Sequence, residues 1–193
     1  VNSQRIRIIA EIALTIALAA VLNMAKIWRM PNAGTVSFVM LPLIVLSLRR
    51  GAGVGVLAGA LYGVVDMFID PFPPVTLLQP ILDYPLAYGL VGLSGLVAVA
   101  WKSAFARSAM VKATGWVVMA CTIAAVGRYA AHVISGALFF AQYAPKGQSP
   151  WVYSAIYNLY VPVSAALAAV AASVLLPALE RAVPSAAPAT EES

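Results

Sequence analysis

The chain has 193 residues, of which 62% are hydrophobic and only 10% charged, and its mean hydropathy is +0.90, far from soluble domains, in which about a quarter of residues are charged. That balance excludes an ordinary soluble protein and identifies an integral membrane protein. The formal net charge of +5 calls for no nucleic-acid partner, because a polybasic surface facing the lipid bilayer accounts for it.

A hydrocarbon core about 30 Å thick takes about 20 apolar residues per helical span. Polar and Pro/Gly breaks divide the chain into six candidate spans at 6–27, 36–49, 51–69, 79–101, 112–141 and 152–181. The expected fold is therefore all-α, with six transmembrane helices. Residues 1–183 are expected to form one membrane domain, and "PSAAPATEES" over 184–193 a disordered polar tail with no core to bury.

The first segment begins with Arg5 and Arg7 like a signal peptide, but without an obvious cleavage site it reads as a retained helix. Its Ala10, Ala13, Ala17 and Ala20 recur at spacings of three and four, a small-residue face that suits internal packing or a partner helix equally. The second segment is short for a span, whereas the fifth and sixth are long enough to tilt or project. With a cytoplasmic N-terminus, Arg5, Arg7, Arg49, Arg50, Lys102, Arg107, Lys112 and Arg181 lie inside, against Lys26, Arg29 and Lys146 outside. The positive-inside rule favours that arrangement, with both termini cytoplasmic. The outer connections at 26–37, 70–76 and 142–151 carry the polar and aromatic residues, while the inner ones at 49–53 and 101–112 are merely basic. A small-molecule site is expected to open outward.

The fourth segment opens with "QPILDYPLAYG", setting Asp83 and Tyr84 about one turn inside its outer end. Asp83 either neutralises Arg128 as a structural ion pair or meets a cationic substrate. Asp70 begins a proline turn and reads as a loop or capping residue, and Asp66 reads as reaching the interface. On the fifth segment Arg128, His132, Gly136 and Phe140 recur every fourth residue, a stripe of one cation, one hydrogen-bonding ring, one gap and one aromatic face. Such a histidine can simply bond a neighbouring helix and such a glycine simply permit close contact, but an ionisable pair inside a membrane points to function.

The sixth segment begins "SPWVYSAIYNLYVP", with Tyr153, Tyr157 and Tyr160 on one stripe and Ser154 and Asn158 on another. Trp151 and the tyrosines suit an interfacial belt, whereas Asn158 within a span needs hydrogen-bond partners. Tyr153 and Asn158 point about 140° apart on an ideal helix, so both line one pocket only if it wraps round the helix end. Together these groups suit a flat, cationic, nitrogen-rich aromatic ligand. They do not make an enzyme. No nucleophile stands at telling spacing from a base, one histidine makes no zinc site, and the absence of GxxxxGK[ST] means the chain does not drive ATP-powered transport unaided.

"LDYPLAYGLVGLSGL" (82–96) followed by "RYAAHVISGALFFAQYAPKGQSPWVYSAIYNLYVP" (128–162) resembles the thiamine-specific S-components, the substrate-binding membrane subunits of energy-coupling factor transporters, and "MPNAGTVSFVMLPLIVLSLRRGAGVGVLAGALYG" (30–63) looks like the same family's first loop and next two helices. The resemblance implies a six-helix S-component-like bundle in a prokaryotic cell membrane. Such a subunit captures thiamine at the outer face and passes it inward with a transmembrane coupling protein and two ATPase subunits. It implies no cofactor, with thiamine as transported ligand. Asp83 would meet the thiazolium, with Tyr84 lining the site; His132, Tyr153 and Asn158 would bind the aminopyrimidine, Phe140 would stack on it, and Gly136 would leave room. Arg128 would form part of the electrostatic setting of His132, and Trp28 and Trp151 would supply secondary stacking. The alanine-rich face, with Ala13 and Ala17, would dock on the coupling protein. Two departures stand out: the acid is often glutamate where this chain has Asp83, and the stacking residue is often tryptophan where it has Phe140. An S-component for a thiamine precursor or another vitamin, and a non-transport membrane assembly subunit, are the competing readings.

Overall fold

The computed structural model describes residues 3–31, 34–70 and 74–185. Six helical units follow one another: α1 (Ser3–Met24), α2 (Met40–Arg50), α3 (Ala52–Ile69), α4 (Leu78–Ala106), α5 (Met110–Phe139) and α6 (Pro150–Ala182). All but α2 are long and apolar enough to cross a membrane. The expected spans and observed helices agree to within a few residues, except that the second starts at Met40, because Thr35–Val36 pairs as a strand instead. Of the expected tail, 186–193 lie outside the described residues; Pro184 and Ser185 are docked, the Pro184 carbonyl accepting from Arg7 and Ser185 donating twice to Glu180.

Short α2 lies at the centre of the bundle. Its 11 residues rise only about 16 Å, half a hydrocarbon thickness, yet it touches each of the other five helices. Met40, Leu43, Ile44 and Leu48 are fully buried. Protein rather than lipid surrounds it, so its short length leaves no backbone group stranded in hydrocarbon. At its far end the arginines are paired: Arg49 Nη1 meets Glu180 at 2.5 Å, and Arg50 holds Glu11 through Nε and Nη2 at 2.5 and 2.6 Å. Expected as merely basic, Arg49 and Arg50 in fact tie α2 to α6 and α1.

Helices α3 and α4 meet backbone to backbone. A Cβ at Gly59 would lie 2.1 Å from the Tyr88 carbonyl oxygen, and one at Gly63 2.5 Å from the Tyr84 carbonyl oxygen. Only glycine admits that approach, and small residues at helix contacts are how membrane bundles pack without a hydrophobic driving force. The contact fixes the height of Tyr84 and Tyr88. Around them α4 is irregular, with a π-helical turn over Leu82–Leu86 that contains Pro85. Proline has no N–H to give an α-helical bond, and the wider turn accommodates it. Asp83 and Tyr84 ride on that turn.

Helix α6 breaks at Asn158–Leu159, separating Pro150–Tyr157 from Tyr160–Ala182. Pro162 stands four residues after Asn158, where an α-helix would need an N–H for the Asn158 carbonyl; that carbonyl accepts instead from Val161 N at 3.0 Å. After α1, Trp28–Arg29 and Thr35–Val36 pair antiparallel, with Trp28 opposite Val36 and Arg29 opposite Thr35. This hairpin lies over the end of the bundle.

Candidate functional site

A cavity opens at the hairpin end, between the ends of α3, α4, α5 and α6. Among its lining residues are Asp66, Asp83, Tyr84, Arg128, His132 and Asn158. Gly136, Phe140 and Tyr153 also line it, so eight of the ten expected binding residues converge on one space. Trp28 and Trp151 do not reach it. They are 66% and 52% exposed, because the hairpin and the first turn of α6 direct them outward, as interfacial tryptophans commonly stand.

Inside the cavity α4 and α5 are joined by a chain of polar groups. Arg128 Nε donates to His132 Nε2 at 3.2 Å, and His132 Nδ1 lies 3.1 Å from Asp83 Oδ1. A guanidinium only donates, so Nε2 is the acceptor and Nδ1 carries the proton that goes to the carboxylate. The imidazole is thus neutral and its tautomer set. Asp83 Oδ2 accepts from Gln79 Nε2 at 2.6 Å and Ser135 Oγ at 2.8 Å. Asp83 and Arg128 therefore communicate through a ring rather than as a direct ion pair.

The guanidinium sits over the Tyr88 ring, 4.5 Å from its centroid, and Nη2 bonds the Tyr88 hydroxyl at 3.1 Å. Its Nη1 is buried without a hydrogen-bond partner. One helical turn nearer the cavity mouth, Gly136 contacts α6: a Cβ there would lie 2.2 Å from Ser154 Oγ. The room this glycine leaves is thus taken by the Ser154 side chain, which brings α6 close enough for Asn158 to bond the His132 carbonyl. Asn158 Nδ2 donates to that carbonyl at 3.3 Å, to the Ser154 carbonyl at 2.9 Å and to Ser154 Oγ at 3.2 Å. All three bonds use the amide nitrogen, leaving Oδ1 as an acceptor for an amine. Asn158 N still bonds the Ser154 carbonyl at 3.0 Å, so the helical rotation holds to that residue, and Tyr153 and Asn158 both line the cavity because it wraps round this end of α6.

Several lining residues lie outside the expected set. Asp66, expected at the interface, is 4% exposed and accepts from Asn23 Nδ2 at 2.7 Å and Tyr62 OH at 3.0 Å. It sits one turn inside the end of α3, where Asn23 of α1 and Tyr62 close over it. Asp70 does cap α3 and also binds Lys26 at 2.5 Å and Arg29 at 3.3 Å. Tyr157 OH accepts from Gly34 N at 3.0 Å and donates to the Pro31 carbonyl. The hairpin is held over the cavity from both sides by these contacts. Tyr88 has a legible signal, lying four residues after Tyr84 on the same face; Tyr157 and Tyr160 carry only the spacing of an interfacial belt.

The family model described as thiamine transporter protein matches residues 9–185. The chain belongs to this family. Among curated members it is 38% identical over 159 residues to the thiamine transporter ThiT of Bacillus subtilis, covering 81% of this chain and 82% of that protein. It is 34% identical over 154 residues to ThiT of Lacticaseibacillus paracasei, covering 78% and 77%. A solved structure of ThiT from Listeria monocytogenes superposes with a TM-score of 0.85 at 26% identity, covering 93% of this chain and 98% of that one. The thiamine transporter family thus supplies both sequence and fold relatives along nearly the whole chain, and the protein is a multi-pass membrane protein of the transporter class.

Proposed function

We propose that this chain is a thiamine-specific S-component: it captures thiamine at the outer membrane face and delivers it inward as the substrate-binding subunit of an energy-coupling factor transporter. The observation that carries the reading is the Asp83–His132–Arg128 chain, in one cavity with Tyr84, Phe140, Tyr153 and Asn158. A carboxylate and aromatic faces suit the cationic thiazolium. Asn158 Oδ1 suits the exocyclic amine of the aminopyrimidine, Phe140 its ring face, and Tyr84 the edge of the thiazolium. Both termini lie in the cytoplasm, which turns the hairpin and the cavity mouth outward, in keeping with the distribution of basic residues.

Energy comes from separate subunits, a transmembrane coupling protein and two ATPases. Supporting this, Ala10, Ala13 and Ala17 are exposed, while α1 buries Ile12, Thr15, Ala19 and Asn23 toward the rest of the chain. Ala20 alone of the face packs on the core, so the stretch from Ala10 to Ala17 is left to offer a partner helix a close approach. The chemistry is recognition and release without covalent change.

Calorimetric titration of detergent-purified, ligand-free protein with thiamine, and then with its pyrimidine and thiazole halves, tests the reading. Saturable one-to-one binding, much tighter for the whole molecule than for either half, is expected. Folded, ligand-free protein that gives no heat with thiamine would overturn it in favour of another vitamin or a non-transport role.

A further inference from the structure

The cavity holds more carboxylates than recognition of one cation requires. Asp66, Asp70 and Asp83 line it, with Arg128 as the lining cation. Asp70 is balanced by Lys26 and Arg29. His132 is neutral in the chain described above, so three carboxylates stand against three cations, but Lys26 and Arg29 are both held on Asp70, which leaves Arg128 as the one cation beside Asp66 and Asp83.

The two carboxylates are not equivalent. Asp83 is saturated by the protein, with one hydrogen bond at Oδ1 and two at Oδ2, and one of these leads through His132 to Arg128. Asp66 is held by neutral groups, Asn23 and Tyr62 on Oδ1 and Tyr88 beside them, and only the Tyr88 hydroxyl links it to Arg128. None of the ion pairs among the described residues involves Asp66. A buried carboxylate with no directly paired cation is expensive in a low-dielectric setting, and at depth in a membrane it marks a binding role. We infer that Asp66 is a specificity-determining residue: a second anionic wall of the cavity, sharing with Asp83 the selection of a charged over an uncharged ring. This rests on the thiamine reading.

The test compares thiamine with its uncharged thiophene isostere, in which carbon replaces the thiazolium nitrogen, on wild-type protein, Asp66→Asn and Asp83→Asn. In Asp66→Asn the side-chain amide keeps an oxygen for Asn23 and Tyr62, so only the charge is removed. That variant is expected to weaken thiamine about tenfold or more and the isostere by less than about threefold, because only the cation interacts with the lost charge. Equal weakening of both ligands, or none, overturns the assignment and makes Asp66 a structural counter-charge to Arg128. The Asp83→Asn arm decides the matter even if Asp66→Asn fails to fold. It should retain a preference for thiamine of about fivefold or more, supplied by Asp66; complete loss of preference there overturns the assignment. Wild-type protein that binds neither ligand defeats the thiamine reading itself, an outcome distinct from a failure confined to the variants.

Discussion

Asp83 and Arg128 lie on different helices and are joined without touching, because the His132 ring stands between them, 3.1 Å from one and 3.2 Å from the other. The ring acts as donor to the acid and acceptor from the base, a combination no aliphatic side chain supplies. His132→Ala leaves Arg128 Nε unsatisfied and removes one bond from Asp83. Folded-state stability is expected to fall by about 1–3 kcal/mol, read as a lower unfolding temperature in detergent. Affinity for the aminopyrimidine half should fall as well. Destabilised protein whose folded fraction binds that fragment as tightly as wild type would confine the histidine to a structural part.

Gly136 and Ser154 form the tightest approach between α5 and α6 in the site. Gly136→Ala places a methyl 2.2 Å from Ser154 Oγ and 3.1 Å from its Cβ, so the hydroxyl must turn away from the Val133 carbonyl and Asn158 Nδ2, which loosens the hold on the Asn158 amide. Thiamine affinity is expected to drop at least about tenfold, since misplacing a single hydrogen-bonding group costs on that order. Adding Ser154→Gly removes the obstructing side chain and should recover part of the loss. A double-mutant cycle measures the coupling, and strictly additive effects would show that the two residues do not act through this contact.

Tyr157 latches the hairpin by bonding both Gly34 N and the Pro31 carbonyl. Tyr157→Phe removes both bonds and keeps the ring. The hairpin covers the cavity mouth, so the variant should release thiamine about tenfold faster while association changes little, the usual partition for altered contacts around a bound ligand. Stopped-flow fluorescence, with Trp28 in the hairpin as a reporter, checks this. An unchanged dissociation rate would mean that the Asp70 contacts hold the hairpin alone.

Ala13 and Ala17 are exposed on α1 and distant in sequence from every cavity residue except Asn23. Ala13→Trp or Ala17→Trp should leave thiamine affinity within about twofold of wild type, as surface substitutions away from a site usually do. Vitamin uptake by cells that depend on the protein should nevertheless be lost, and purification through a tagged coupling protein should no longer recover it. Loss of binding in the isolated subunit would instead place the stripe inside the fold.

Membrane class, the number of helical units and eight of the cavity-lining residues are legible in the order of amino acids alone. Composition and apolar run length are local properties, and a fourfold spacing such as 128, 132, 136 and 140 places residues on one helix face whatever surrounds it. The alanine stripe is equally visible, but its direction follows only from the burial of Ile12, Thr15, Ala19 and Asn23 on the other side of α1. Whatever depends on neighbours needed the packed chain. Helix α2 is the buried centre, because five other helices replace the lipid its length cannot span. Asp66 has the sequence position of an interfacial acid, yet exposure is set by what lies over a residue, and here Asn23 of α1, distant in sequence, bonds it. Tyr153 and Asn158 diverge under the helical rotation, which persists to Asn158, and they share a cavity because it wraps round that end of α6, a shape only the packed chain fixes. His132 is legible as polar, but the carboxylate that helps set its tautomer comes from another helix, and no spacing along one helix can supply it.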